Sequence, residues 1–209
     1  MNKRRTAVLL AGLSLLVAVA LVPTASAGGP QPLAPAQAQA LANAAPVVQT
    51  GSVTRSATPQ EALAAAALPG ATVSISPGLA PSEAVGLASV ARPIAPAAAS
   101  NACWANAYWR QWGTWPYEQK ITDTTYWCAV YGDHITYTAS SVTGTGTFCG
   151  TSWTTSQLIG GGIGYSWFVL RSSAGFSCST VIPWVTLHPS HYIDVSRNDW
   201  GSTAEVGSN

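Results

Sequence analysis

Acid-base chemistry in this 209-residue chain could come from three histidines and six carboxylates, all of which lie beyond residue 101. The chain has two further acids, and both precede that residue. Hydrolysis by a nucleophile needs a Ser or Cys that a histidine activates and an acid orients. No Gly-x-Ser-x-Gly elbow is present, and the closest segment, Gly164 to Phe168, ends in Phe168 where the second glycine is required. We therefore predict no catalytic residue and keep a small hydrolase built around His188 or His191 as the alternative function.

The sequence gives equally weak support for a metal site and for a glycosidase site. His188, His191 and Asp194 could supply three zinc ligands. Residues three apart on a strand point to opposite faces, however, so His188 and His191 converge only if the chain turns between them. Glycosidase chemistry needs two facing carboxylates, and no pair of acids is singled out by its position. We predict neither a metal site nor a cofactor.

The aromatic content is the feature that remains. All nine tryptophans lie beyond Asn101, and a core of roughly 100 residues rarely needs so many. Indole and phenol rings at a surface can stack on sugars or on protein partners. The densest cluster is predicted to bind ligand, and it consists of Trp109, Trp112, Trp115 and Tyr117. The alternative is that these rings fold back and close one end of the core.

The segment from Asn101 to Asn209 has the composition of short strands joined by tight turns, with Thr, Val and aromatic residues between glycines. Seven strands are predicted, at 118–128, 134–142, 147–154, 163–172, 176–179, 184–188 and 192–197. Seven short strands without a long helix favour an all-β fold, an antiparallel β-sandwich or alternatively a small barrel. The segment Cys103–Trp112 is ambiguous, because Trp104, Tyr108 and Trp112 repeat every fourth residue, as on a helix.

Two segments precede this predicted domain. Residues 1–27 combine Lys3, Arg4 and Arg5 with an apolar stretch and the exit Ala25-Ser26-Ala27, which is typical of a cleaved signal peptide. Residues 28–100 are rich in Ala and Pro and contain no aromatic residue, so we predict a disordered spacer or pro-region. A short helix near Pro59–Leu68, capped by Thr58, would have little to pack against. The mature protein is expected to be secreted and extracellular, without a transmembrane anchor after cleavage.

The net charge of the mature chain narrows the classes of partner that the protein could bind. Three of the nine Lys and Arg lie in the leader, so six basic groups face eight acidic groups in the mature chain, a net charge of −2. A chain without a basic patch is a poor partner for nucleic acid.

Four cysteines in an exported domain favour two disulfides, and three pairings are open. Short loops favour pairing Cys103 with Cys128 and Cys149 with Cys178.

The run from Tyr126 to Thr136 resembles the W-C-x-x-x-G-x-x-I/V-T pattern of a family of small secreted actinobacterial proteins, most of them uncharacterised. A glycine-rich piece at 160–164 and the segment Gly175-Phe176-Ser177-Cys178 extend the similarity. The resemblance implies export and a β-sandwich, and it implies no catalytic residues. The sequence as a whole favours a secreted, non-catalytic binding or interaction module. Its expected partner is a glycan, a cell-wall polymer or an extracellular protein.

Overall fold

A computed structural model describes residues 47–86, 101–180 and 185–209. Predictions that concern residues 1–46, 87–100 and 181–184, including the signal peptide, lie outside the described residues. Ten strands account for most of the described chain; in order they are β1 (Val47–Ala57), β2 (Thr72–Ile75), β3 (Asn101–Trp112), β4 (Gln119–Val130), β5 (His134–Gly146), β6 (Cys149–Gly161), β7 (Trp167–Ser179), β8 (Thr186–Leu187), β9 (Ser190–Asn198) and β10 (Thr203–Ser208). Among these residues no helix is long and apolar enough to cross a membrane.

The strands form two antiparallel sheets, as predicted for a β-sandwich. The first sheet, sheet A, has the order β1-β3-β4-β5-β2. The second, sheet B, has the order β10-β9-β7-β6, and β8 pairs with one end of β7. The chain passes from sheet A to sheet B at the short turn between β5 and β6. Two of the predicted strands, 163–172 from Trp167 onward and 176–179, fall in the single strand β7.

The segment Cys103–Trp112, ambiguous between helix and strand, is a strand that pairs along its whole length with β4. A spacing of four residues fits the helical period approximately and the strand period of two without remainder. Trp104, Tyr108 and Trp112 therefore lie on one face of β3, and that face is directed into the core.

The prediction of disorder for residues 28–100 is wrong for residues 47–86. β1 pairs with β3 at one edge of sheet A, and β2 pairs with β5 at the other. A short helix, α1 (Pro59–Ala64), and one turn of 3₁₀-helix at Ala65–Ala67 lie between β1 and β2, and a second short helix, α2 (Pro81–Ala84), follows β2. Thr58 and Glu61 form a capping box at the start of α1, as the sequence suggests.

The small side chains of this segment are the reason why it packs. Ala62 and Ala84 are completely buried against the outer face of sheet A, because alanine lets a helix approach the sheet closely. Tyr137 Oη donates a hydrogen bond to the carbonyl of Ala62 at 3.0 Å, and Thr136 Oγ1 donates one to the carbonyl of Ala84 at 2.6 Å. The outer face of sheet A is thus covered by the chain's own residues 58–86.

The main core lies between the two sheets. Its large, fully buried apolar side chains are Trp112, Ile121, Trp127, Ile135, Phe168, Phe176, Ile193 and Val195. A charged pair crosses the same space: Arg197 Nη2 donates to Asp123 Oδ2 at 2.9 Å and to Asn106 Oδ1 at 2.9 Å. All three side chains are essentially inaccessible to solvent. This network joins β9 of sheet B to β3 and β4 of sheet A.

Both predicted disulfides are present, Cys103–Cys128 and Cys149–Cys178. In each pair the two cysteines stand directly opposite one another on adjacent antiparallel strands. The first bridge joins β3 to β4 beneath α1 and α2, and the second joins β6 to β7 in the main core. The bridges therefore tie neighbouring strands within each sheet, one in each.

Candidate aromatic binding site

Two of the four aromatic residues predicted to bind ligand are structural. Trp112 is completely buried, donates its indole N–H to the carbonyl of Asn209 at 2.5 Å, and stacks on His191 with ring centroids 4.4 Å apart. Trp109 lies against Gly51 of β1, and the ammonium group of Lys120 sits 4.2 Å from its ring centroid. The prediction of a ligand-binding role is therefore wrong for Trp112, whose alternation on β3 directs it into the core. Trp109 has neighbours over its ring and offers little free surface for stacking.

The other two residues, Trp115 and Tyr117, lie together in an apolar cleft at the end of the sandwich where β3 meets β4. Trp115 is 73% exposed, the most exposed tryptophan described. The cleft has a volume of about 520 Å³ and its lining is almost entirely apolar; it is formed by Trp115, Pro116, Tyr117, Phe148, Ser179 and Thr180. We call it the Trp115 cleft. No charged residue is among the described residues that line it.

The walls of the Trp115 cleft are held in place by backbone hydrogen bonds and by a disulfide. Ser179 N–H donates to the carbonyl of Phe148 at 3.0 Å, and Tyr117 N–H donates to the carbonyl of Thr114 at 2.8 Å. Cys149 and Cys178, the neighbours of Phe148 and Ser179, are bonded to each other. Phe148 and Ser179 are therefore linked through a disulfide one residue from the cleft.

Phe148 was not among the predicted site residues, although it is 62% exposed and lines the cleft. Its φ of +52° lies in the left-handed region, which non-glycine residues seldom adopt. Such strained positions concentrate at functional sites. The sequence did contain a signal, because Phe148 is a large apolar residue in the turn that precedes Cys149, where Gly or Asn is usual.

Glycine contacts explain much of the tryptophan excess that the sequence shows. Five tryptophans lie so close to a glycine that a Cβ there would meet the ring; the pairs are Trp104 on Gly201, Trp109 on Gly51, Trp153 on Gly175, Trp167 on Gly160 and Trp200 on Gly132. Rings of this kind shield backbone that a glycine leaves bare, a device known to stabilise sheets. A high tryptophan count is therefore not by itself a sign of a binding surface.

The histidines of the alternative hydrolase hypothesis do not come together. His191 is 2% exposed, and its Nε2 lies 2.8 Å from Gln119 Oε1. Burial lowers the pKa of His191 to about 4, and the nearby main chain of Asn209 opposes this effect only in part. His188 is exposed, on the other side of the buried Pro189. In the described part of the chain, no three His, Cys, Asp or Glu residues are grouped so that they could hold a metal ion.

A polar hollow of about 260 Å³ is also present, formed by residues of β3, β4 and the end of β5. Glu118 and Lys120 give it one acid and one base. It contains no exposed aromatic ring, and we consider the Trp115 cleft the better candidate for a ligand site because apolar concave surfaces with few polar groups are typical of such sites.

No family model, no curated protein and no solved structure matches this chain. The resemblance to small secreted actinobacterial proteins stays a prediction for that reason. The candidate site rests on the geometry of the cleft alone.

Proposed function

We propose that this protein is a secreted, non-catalytic binding module that holds an apolar group of an extracellular protein partner in the Trp115 cleft. The observation that carries the proposal is the combination of an exposed tryptophan, an exposed phenylalanine and an apolar concavity between them. Exposed large apolar groups cost solubility, so a contiguous set of them on a folded domain marks an interaction site.

Preorganisation supports the same proposal. Trp115, Phe148 and Tyr117 stand on turns whose backbone is hydrogen-bonded, next to a disulfide that joins β6 to β7. A backbone that is already fixed loses little entropy when a ligand binds, so more of the contact energy appears as affinity. Aromatic residues in such positions are the commonest anchors of protein interfaces.

The chemistry of the lining favours a protein partner over a glycan at this cleft. A sugar presents hydroxyl groups around its ring, and a site that buries them must offer hydrogen-bond partners. Among the described lining residues, side-chain hydroxyls belong to Tyr117, Ser179 and Thr180, and Thr180 already donates its own to the carbonyl of Val185 at 2.9 Å. A proline, aliphatic or aromatic side chain of a partner would meet the same lining without such a cost.

Secretion is part of the proposal. The two disulfides fit an oxidising compartment, and the sequence of residues 1–27 is typical of a cleaved leader. The intact mass of protein recovered from culture medium tests this part directly, since a chain that begins near Gly28 is expected. The hydrolase built around His188 or His191 remains the alternative hypothesis.

Selection of a random peptide library on the immobilised protein tests the proposed function. We expect the selected peptides to share one large apolar residue, and their affinity to fall at least tenfold in Trp115→Ala. Trp200→Ala is the matched control, because Trp200 is 57% exposed but lies at the opposite end of the sheets, beside Tyr131. Peptides that bind Trp115→Ala as tightly as the unchanged protein would refute the role of the cleft.

A further inference from the structure

The outer faces of the two sheets differ in what covers them. On sheet A the chain's own residues 58–86 pack over the outer face. On sheet B no described residue of the chain packs across the centre of the outer face, and side chains there keep a large exposed fraction. Trp153 is 47% exposed and Trp167 43% exposed.

Alternation along β7 and β9 shows which side chains share this face. Even-numbered residues of β7 from Phe168 to Phe176 are buried in the core, so Trp167, Arg171, Ser173 and Gly175 point outward. On β9, Ile193 and Val195 are buried, which places Tyr192 and Asp194 on the outer face. We call this surface the sheet B face.

Both tryptophans of the sheet B face lie flat against glycine. A Cβ on Gly175 would stand 2.1 Å from Trp153 Nε1, and a Cβ on Gly160 would stand 3.1 Å from Trp167 Cζ3. One side of each indole therefore rests on the backbone of the sheet, which leaves the other side toward solvent. Gly160 pairs with Val169 and Trp153 with Gly175, so the two rings rest on backbone six residues apart along β7, roughly 20 Å at the usual rise of a strand.

Polar groups without net charge lie between the two rings. Arg171 makes two hydrogen bonds of 2.8 Å to the carboxylate of Asp194. Its guanidinium carbon also lies 4.3 Å from the centroid of Tyr192, which braces it. Gln157 and Ser173, on either side of this group, add amide and hydroxyl groups. A neutral, polar surface between aromatic rings is complementary to an uncharged polyhydroxylated ligand and would repel neither sign of charge.

We infer that the sheet B face binds a flat, neutral, β-1,4-linked polysaccharide. The two indole faces stack on the C–H faces of sugar rings at either end, and Gln157, Arg171 and Ser173 hydrogen-bond to hydroxyl groups between them. A flat ribbon can follow a sheet surface over the distance between the two tryptophans, whereas a helical polysaccharide cannot contact both. This site is separate from the Trp115 cleft and does not depend on the proposed function of that cleft.

Sedimentation of the purified protein with insoluble cellulose and with insoluble chitin tests this inference. We expect retention on at least one of them, and much weaker retention on amylose, which is helical. Trp153→Ala and Trp167→Ala should each weaken binding about tenfold, the effect of losing roughly 1.4 kcal/mol of stacking. Gln157→Ala should weaken it to a smaller extent, and this variant leaves both tryptophan-glycine contacts in place should a tryptophan variant fail to fold.

Two control variants make the test specific. Trp109 lies over Gly51 of the neighbouring strand as Trp153 lies over Gly175, but on sheet A and beneath Lys120. Trp109→Ala should therefore lower stability to a similar extent and leave retention on the polysaccharide unchanged. Trp115→Ala should also leave it unchanged, which separates this site from the cleft. Absence of retention on both cellulose and chitin, equal retention on amylose, or full binding by Trp153→Ala and Trp167→Ala would each overturn the inference.

Discussion

Lowering the pH from 7 to 4.5 is expected to destabilise the fold through one residue, His191. The ring is buried between Trp112 and Phe176, and burial lowers the pKa of its imidazole to about 4 from a usual value of 6.5. Between these two values the unfolded chain binds a proton at this position and the folded protein does not. The contribution of His191 to stability is therefore complete above pH 6.5 and is lost as the pH falls toward 4.

The size of this effect follows from the difference in pKa. Each pKa unit corresponds to about 1.4 kcal/mol, so the whole shift is worth about 3 kcal/mol, and most of it is lost by pH 4.5. Glu61, whose pKa is lowered to about 2 by Arg55 and Thr58, acts in a different range, because its contribution is lost only as the pH falls below its usual value of 4.5. The interval between pH 6.5 and 4.5 therefore reports mainly on the histidine.

Urea unfolding followed by tryptophan fluorescence at several pH values measures this dependence. The free energy of unfolding should fall by about 2 to 3 kcal/mol between pH 7 and pH 4.5. In His191→Gln, which has no titrating group at this position and can still hydrogen-bond to Gln119, the same interval should be nearly flat. An equal slope in the variant would show that the pH dependence has another origin and that the ring is not buried as described.

Three further changes follow from the packing. Arg197→Met removes the partner of the buried Asp123 carboxylate and should cost about 3 to 5 kcal/mol in urea unfolding, whereas the double change Arg197→Met with Asp123→Leu should recover part of that loss; a single variant of unchanged stability would contradict the burial of the pair. Trp112→Ala should cost about 3 to 5 kcal/mol, and Trp115→Ala less than about 1 kcal/mol, as a surface substitution does; equal melting temperatures would contradict the assignment of one ring to the core and the other to the surface. A chain that starts at Asn101 lacks the cover of sheet A and should melt on the order of 10 °C below the chain that starts at Gly28, since several kcal/mol of burial around Tyr137 are lost; identical melting curves would show that residues 47–86 contribute nothing to the fold.

Much of the sheet architecture could be predicted from composition and turn chemistry. The Thr, Val and aromatic residues between glycines indicated short strands and tight turns, and loop length favoured the disulfides that are present. The first strand was missed because it carries no aromatic residue. Its signal was nevertheless in the sequence, since Val47, Val53 and Thr54 belong to a β-branched stretch between Pro46 and Pro59.

The candidate sites were harder to predict, because exposure depends on three-dimensional pairing that a run of residues does not reveal. Trp112 and Trp115 are three residues apart and equally aromatic, but the first ends a strand on its inward face and the second stands on the following turn. Phe148 and Trp115 are far apart in sequence. They meet only because the turn between β3 and β4 and the turn between β5 and β6 lie at the same end of the sandwich. The helix that Thr58 and Pro59 predict is present. The surface on which it packs could not be predicted, because that surface exists only once β3, β4 and β5 pair in the sheet.

The central claim is that ligand binds at the Trp115 cleft, whereas the buried Trp112 is structural. Two-dimensional NMR of ¹⁵N-labelled tryptophan indoles during titration with a selected peptide tests it most directly, because each of the nine tryptophans gives its own N–H signal. We predict that the Trp115 signal shifts with saturation, while the signals of the buried Trp112 and of the distant Trp200 stay in place. Saturation of binding with an unmoved Trp115 signal would contradict the account.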